Sequence, residues 1–152
     1  MGLSLRMSCT VDAPVEVVFA QFSDLRRAAE RISGITRMEV LTEGPVGVGT
    51  IFRETRIMFG REATEQMEVT EFEPNSMYAV ECTSCGVHYR SELEFRARGD
   101  STEVAMSFDG QPRTKTAKIL GAFMGMLMKG ACRKAMEQDL ADMKRAVEAS
   151  VR

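Results

Sequence analysis

VHYRSELEFRARGDSTEVAMSFD, residues 87–109, alternates between apolar and polar side chains on both sides of a single Gly-Asp turn signal. A period of two residues is typical of a strand with one buried and one solvated face. The predicted strands cover residues 87–98 and 102–109, and the connection around Gly99 and Asp100 is too short for a crossover helix, so the strands must be antiparallel neighbours. The stretch therefore predicts a hairpin with one dry face, to which Tyr89, Leu93, Met106 and Phe108 belong.

The same alternation continues in the rest of the chain. It predicts a first strand over residues 3–11 and, after Gly34, strands over residues 35–42, 49–59, 62–73 and 77–84. Between the first two strands, Pro14 in a first helical turn and apolar residues at helical spacing predict two short helices, one to about Phe22 and one from Leu25 to Ile32. The short connections indicate an antiparallel meander.

From about Lys115 the apolar period becomes helical. Apolar or small residues then recur every three or four positions, at Gly121, Met124, Met128, Cys132, Met136, Leu140, Met143 and Val147. A sheet with one dry face and one long amphipathic helix buries both by curling the sheet around the helix. The sequence thus predicts a single α+β domain over residues 1–152, in which a seven-stranded curved antiparallel sheet wraps a long C-terminal helix.

Composition narrows the class of partner. The net charge is −2 and the basic and acidic residues look interspersed, so nucleic-acid binding is not expected. The longest apolar run, residues 119–128, is about half the length of a membrane-spanning helix, so stable membrane insertion is not expected either. The N-terminus has no secretory pattern, which predicts a cytoplasmic protein with reduced thiols. The apolar circumference of residues 119–128 also suits a contact between two copies in a homodimer.

Ionisable residues of strand 49–59 are the first candidates for chemistry. Both faces of this strand are mixed, with Phe52, Glu54 and Arg56 on one and Arg53 on the other, so either orientation brings a charge toward an apolar interior. Buried charges must be paired or shifted in pKa, and such groups are functional candidates. Arg53 or Arg56 could orient a polar ligand head, and Glu54 or Glu65 could act as acid or base. The alternative is that bulges send these charges to the sheet edge or the pocket rim.

Cysteine and histidine offer little catalytic chemistry. The pair Cys82 and Cys85 lacks the two further ligands of a structural zinc site and ends a strand instead of opening a helix, so neither a metal nor a redox role is expected. His88 is the only histidine and falls on the solvent face, which argues against a Ser-His-Asp or Cys-His site. No metal and no cofactor are expected. Methionines on the terminal helix suit either simple core packing or an adaptable pocket wall.

Three segments carry a family resemblance: VDAPVEVVF at 11–19, GVGT at 47–50 and VTEFEP at 69–74. In this order, and followed by the long terminal helix, they resemble the START-like, or SRPBCC, superfamily and within it the polyketide cyclase/dehydrase-like branch. The resemblance covers nearly the whole chain and implies the helix-grip fold with a central cavity. It does not imply one activity, because the superfamily contains binders, transporters and enzymes.

Three functions stay open at the level of sequence. The first is binding, transport or sequestration of a hydrophobic small molecule in the cavity. The second is a cyclase- or dehydratase-like enzyme acting on a polyketide-like or other apolar carbonyl substrate, with Glu54, Glu65 and Tyr89 as candidate catalytic residues. The third is a co-chaperone-like protein-interaction module. The residues predicted to line the ligand site are Phe52, Arg53, Met67, Tyr89, Leu93, Met106, Phe108, Phe123, Met124, Leu127 and Met128.

Overall fold

The structure, a computed structural model, describes residues 2–152 apart from the side chain of Phe123. Strand β1 (Leu3–Val11) is followed by helix α1 (Val15–Phe22), one turn of 3₁₀ helix (Leu25–Arg27) and helix α2 (Ala28–Arg31). Six further strands follow: β2 (Ile35–Val40), β3 (Ile51–Met58), β4 (Arg61–Glu73), β5 (Met77–Ser84), β6 (Val87–Arg98) and β7 (Ser101–Pro112). Helix α3 (Lys115–Ser150) ends the fold. The predicted helix-grip arrangement, with its seven strands and two short early helices, is confirmed.

All seven strands form one antiparallel sheet in the order β1-β7-β6-β5-β4-β3-β2. The strands β2 to β7 follow the chain as a meander, and β1 pairs with β7 at the far edge. In the hairpin of β6 and β7, Leu93 lies opposite Met106 and Phe95 opposite Val104, so the apolar positions of both strands share one face. That face is the concave one and carries α3.

The turn between β5 and β6 positions the start of α3. Cys85 and Gly86 have φ values of 50° and 77°, the two positive angles that a type I′ hairpin turn requires. A Cβ atom on Gly86 would lie 2.5 Å from Oγ1 of Thr114, so only glycine permits this approach of the chain. The side chain of Thr114 caps the helix by accepting a hydrogen bond from the backbone N–H of Ala117.

One end of the concave face is closed by an aromatic cluster. Phe19 and Phe22 of α1 pack edge-to-face against Phe95, and Tyr78 stacks on the same ring at a centroid distance of 6.0 Å. The C-terminal half of α3 covers this cluster with the buried side chains of Leu140, Met143 and Val147. We call this region, built from α1, the sheet and the C-terminal half of α3, the closed end.

A buried carboxylate fixes α3 to the loop before β2. Asp142 is 5% exposed and accepts hydrogen bonds from the backbone N–H and the hydroxyl of Ser33, at 2.8 and 2.7 Å. Gln138 donates a third from the preceding helical turn. Burial alone would raise the pKa of Asp142, but the donors of Ser33 and Gln138 outweigh it, so its pKa lies below the usual value.

This lowered pKa predicts a loss of stability in acid. The ionised form of Asp142 is favoured more in the folded state than in the unfolded chain, so its contribution is present above the unfolded pKa and is lost as the pH falls through the folded pKa. We expect the difference in unfolding free energy between the wild type and Asp142→Asn to shrink as urea titrations are moved from neutral pH to below about pH 4. Glu137→Gln, at an exposed position of the same helix, is the control. A difference that does not change with pH would contradict the assignment.

Candidate functional site

Strand β3 presents Phe52, Glu54 and Arg56 to the concave face. Phe52 is 2% exposed and packs with Leu25 and Val69, which places this alternate set of side chains inside. The register of β3 against β4 aligns Phe52 with Met67 and Glu54 with Glu65, so these partners share the face. Both predicted carboxylates, Glu54 and Glu65, therefore point to the same side of the sheet, between the strands and α3.

Arg53 lies on the opposite, convex face. Its guanidinium is exposed and contacts Glu39 Oε1 at 3.5 Å and Gln66 Oε1 at 3.3 Å, both on neighbouring outer positions. Since successive side chains of a strand alternate between its faces, Arg53 must point outward once Phe52 and Glu54 point inward. The placement of Arg53 in a ligand site is thus a correction to the sequence prediction.

Arg56 is held between two carboxylates. Its Nη1 and Nη2 atoms donate to Oδ1 and Oδ2 of Asp139 on α3 at 3.1 and 2.7 Å, and its Nε donates to Oε1 of Glu54. The side chains of Arg56 and Asp139 are only 21% and 12% exposed. We call Glu54, Arg56 and Asp139 the buried ion cluster. With both edges of its guanidinium engaged, Arg56 is not free to hold an acidic ligand head.

Burial dominates the electrostatics of this cluster. Desolvation raises the pKa of Glu54 and of Asp139 above their usual values, and the charge and hydrogen bonds of Arg56 oppose the shift without cancelling it. Burial would lower the pKa of Arg56, but the hydrogen bond to Asp139 and the charge of Glu54 raise it instead. The guanidinium therefore stays charged, and Glu54 and Asp139 share it as their buried cation.

A second set of polar groups lies farther along the same face. Glu65 accepts a hydrogen bond from the hydroxyl of Ser84 at 3.0 Å. Cys82 is half-buried nearby, and burial followed by the charges of Glu65 and Glu54 raises its pKa to about 11. A thiol with that pKa is protonated at neutral pH and is a weak nucleophile. The face therefore presents one hydrogen-bonded carboxylate beside neutral groups.

Tyr89 and Phe108 form an aromatic pair on adjacent strands. Their rings stack at a centroid distance of 5.5 Å with an interplanar angle of 4°. Burial, followed by the nearby Cys132 of α3, raises the pKa of Tyr89, which keeps its phenol protonated as a hydrogen-bond donor. Both side chains are only half-buried, although they belong to the dry face of the hairpin. Part of the surface of this aromatic pair is therefore accessible to solvent.

We call this region the open end, in contrast to the closed end. It consists of the half-buried inward side chains of Cys82, Tyr89 and Phe108 from the sheet and of the facing helix residues Met128 and Cys132. Met67 and Met106 share the inward face but pack against the buried core clusters. The character of the open end is apolar and aromatic, with Glu65 as the polar anchor. A concave apolar wall with few polar groups is the usual form of a small-molecule site.

Some predicted lining residues lie elsewhere. Phe52 and Leu93 point inward but are buried in the packed core. Met124 is 44% exposed. Leu127 is 61% exposed and lies on the solvent side of α3, so the prediction that it lines the ligand site is wrong. The side chain of Phe123 lies outside the described part of the chain.

Asp139 is the residue that the sequence analysis missed. Its signal was available, because Met136, Asp139 and Met143 also follow each other at steps of three and four along the helix. A carboxylate at such a position is buried with the stripe and therefore requires a buried cation. Arg56, identified as a candidate on β3, is that cation.

The convex face holds the lone histidine, as expected. His88 contacts Glu81 at 2.8 Å and Thr83 at 3.0 Å, and Arg90 continues this surface network of charges. Among the described residues, no group of three or more His, Cys, Asp or Glu side chains has a metal-binding arrangement. The polar groups of the concave face include carboxylates, the guanidinium of Arg56, the phenol of Tyr89 and thiols.

The sequence matches the family model described as polyketide cyclase / dehydrase and lipid transport over residues 3–148. No curated protein matches it.

Three similar solved structures illustrate the fold. The Zhui aromatase/cyclase from Streptomyces sp. R1128 superposes with a TM-score of 0.86 at 18% identity, over 100% of this chain and 97% of that one. A START superfamily protein from Mycobacterium smegmatis gives 0.79 at 15% identity, over 97% and 98%. A norcoclaurine synthase point mutant from Thalictrum flavum, in complex with a transition-state analogue, gives 0.73 at 16% identity, over 100% and 98%. At these identities the likeness is one of fold.

Proposed function

The chain belongs to the polyketide cyclase/dehydrase and lipid transport family of the START-like superfamily, and from this premise we propose that it binds a hydrophobic small molecule at the open end. The observation that carries the proposal is the contrast between the two ends of one concave face. At the closed end the aromatic side chains of Phe19, Phe22 and Phe95 are buried against α1 and α3, whereas at the open end Tyr89 and Phe108 are only half-buried. An apolar ligand would remove that surface from water.

The polar groups of the open end fit recognition of a neutral or weakly polar head. The phenol of Tyr89 is protonated and can donate a hydrogen bond, and Glu65 can accept one. An acidic head is disfavoured, because Arg56 is already engaged by Glu54 and Asp139 and Arg53 lies outside. We therefore expect a predominantly apolar compound with a hydroxyl or carbonyl group.

The first experiment is to purify the full chain, denature it and identify co-purifying small molecules by mass spectrometry. We expect an apolar compound in near-stoichiometric amount. Recovery of no compound, together with failure to bind a hydrophobic dye, would contradict a ligand site and turn attention to protein partners.

A substitution locates the site. Phe108→Ala removes the ring that stacks on Tyr89 and is expected to weaken binding of the dye anilinonaphthalene sulfonate by about tenfold or more, from the lost apolar contact. The measurement is a fluorescence titration, repeated as a competition with the co-purified compound. Phe59→Ala, at an exposed ring in the turn after β3, is the matched control. Dye binding that survives Phe108→Ala but is lost with Met126→Asp would place the dye on the outside of α3 and contradict the open end.

A second function, cyclase- or dehydratase-like catalysis, is favoured by one specific observation. Glu65 is an inward carboxylate on the same face of the sheet as a protonated phenol, and two such groups could move a proton on an enolisable carbonyl. The same purified compound tests this idea: conversion by the wild type that is abolished in Glu65→Gln, with binding retained, would favour an enzyme. Binding without conversion would favour a carrier.

A further inference from the structure

Helix α3 has large apolar side chains on its solvent side. Ile119, Leu120, Met126 and Leu127 are 60%, 54%, 93% and 61% exposed. Their spacing of seven residues, from 119 to 126 and from 120 to 127, puts them on one face of the helix. Ala117, at 7% exposure, is on the other face, toward the sheet. We call these four exposed side chains the outer patch.

Cations flank the outer patch along the chain, both before and after it. Between Asp109 and Glu137 the sequence has six basic residues and no acidic one: Arg113, Lys115, Lys118, Lys129, Arg133 and Lys134. All six are exposed. The chain as a whole has a net charge of −2, so the remainder is acidic and the positive charge is concentrated here. The expectation of interspersed charges is wrong for this segment.

These cations differ from most of the others in pairing; among the described residues, Arg26, Arg61, Arg96 and Arg152 are likewise in no salt bridge. In the described part of the chain, arginines of the sheet such as Arg56, Arg90 and Arg98 are in salt bridges with carboxylates. The salt bridges of the same described residues include none of the six cations around the outer patch. Lysine and arginine side chains without intramolecular partners leave a positive field directed to solvent.

We propose that the N-terminal half of α3 docks on the surface of an anionic lipid bilayer. A helix that lies in the membrane interface combines large apolar side chains, which enter the boundary between headgroups and acyl chains, with lysine and arginine that meet anionic headgroups. The outer patch and its six cations supply both parts. Docking is peripheral, because among the described residues no helix is long and apolar enough to cross a membrane.

Charge and exposed apolar surface together favour a bilayer over a second copy of the chain or nucleic acid as the partner of the outer patch. Two copies that met through their outer patches would bring both sets of unpaired cations together, and this repulsion disfavours the predicted homodimer at this place. Nucleic acid would suit the cations but leaves Met126, at 93% exposure, without an apolar environment. An anionic bilayer satisfies the charges and the apolar side chains at once.

Docking would place the open end about one helix diameter, roughly 10–12 Å, from the bilayer surface, on the other side of α3. A ligand dissolved in the membrane would then have a short path to the site. The docking proposal itself does not depend on ligand binding and is tested without a ligand.

The test is sedimentation of the full chain with vesicles of phosphatidylcholine, with and without phosphatidylglycerol. We expect binding only to the vesicles that contain phosphatidylglycerol, with an affinity that falls as salt is raised. Neutralising three cations, Lys118→Gln, Lys129→Gln and Arg133→Gln, should lower the partition coefficient about a hundredfold, since each contributes about a factor of five. Met126→Asp should lower it at least tenfold.

Matched controls change charge and exposed apolar surface elsewhere. The charge control is a triple variant that removes the same charge from other exposed positions: Arg61→Gln, Arg96→Gln and Arg152→Gln. The control for apolar surface is Val48→Asp, which alters a side chain that is 69% exposed in the loop before β3. We expect near wild-type binding for both, with circular dichroism confirming that every variant is folded. Equal loss in the controls, equal binding to neutral vesicles or no binding to vesicles would overturn the proposal. The proposal would also be overturned if the protein did not bind vesicles but instead self-associated or bound duplex nucleic acid, and the α3 variants abolished that association.

Discussion

Replacing Asp139 with alanine is expected to lower the free energy of unfolding by about 3 kcal/mol. The substitution leaves the guanidinium of Arg56, which is 21% exposed, with Glu54 as its one carboxylate partner among the described residues. Removing one partner of a buried ion pair typically costs about 3–5 kcal/mol, because the remaining charge is left without compensation. The lower end of that range applies, since Glu54 stays in contact. Urea denaturation measures the change.

Two further variants separate the ion pair from general effects on α3. Glu137→Ala removes an exposed carboxylate two residues away and should change stability by no more than about 0.5 kcal/mol. Replacing the whole buried ion cluster, by Glu54→Gln, Arg56→Met and Asp139→Leu, should cost less than Asp139→Ala alone, because no buried charge remains. If Asp139→Ala and Glu137→Ala were equally mild, the cluster would not anchor α3.

The fold was predictable because its signals are local. Alternation over residues 87–109 requires only neighbouring side chains, and the pair at 99 and 100 fixes the antiparallel connection. Strand and helix bounds consequently agree within a few residues. The start of α3 at Lys115 was also visible, but its approach to Gly86 was not, since it depends on a contact between distant parts of the chain.

The orientation of β3 could not be deduced from its sequence. Both faces carry a charge, so periodicity gives no preference between Arg53 and Arg56. The choice is made by Asp139, which lies on an element far away in the chain and neutralises Arg56 on the inner side. A search for an acidic residue within the apolar stripe of the terminal helix would have found this partner and with it the inner face of the strand.

The terminal helix shows a different limit of pattern analysis. Residues 119–128 are apolar all round, a pattern from which the sequence predicted a contact between two copies in addition to packing against the sheet. In the fold only one side of this segment faces the sheet, and the outer patch is exposed. Sequence alone identifies the apolar residues and the neighbouring lysines, but exposure is what turns them into a candidate membrane surface.

Phe19→Ala is expected to destabilise the protein by about 4 kcal/mol. Phe19 is 5% exposed at the centre of the closed end, with ring centroids at 5.1 Å from Phe95, 5.3 Å from Phe72 and 6.1 Å from Tyr78. Its removal loses the free energy gained by burying the ring and leaves a void that the surrounding rings can fill only in part. Urea denaturation gives the value, and Phe59→Ala, at a ring that is 59% exposed, should stay within about 0.5 kcal/mol of the wild type.

The same variant distinguishes a packed end from a ligand-binding end. A dry void lined by Phe72, Tyr78 and Phe95 is a site for benzene, so added benzene should raise the Tm of Phe19→Ala and leave the wild type nearly unchanged. For Phe108→Ala we expect a smaller loss of stability and no rescue by benzene, because Phe108 is already partly accessible to solvent. The same variant should lose much of its affinity for the dye. Benzene rescue of both variants, or of neither, would mean that the two ends do not differ in packing, and the physical basis for a ligand at the open end would disappear.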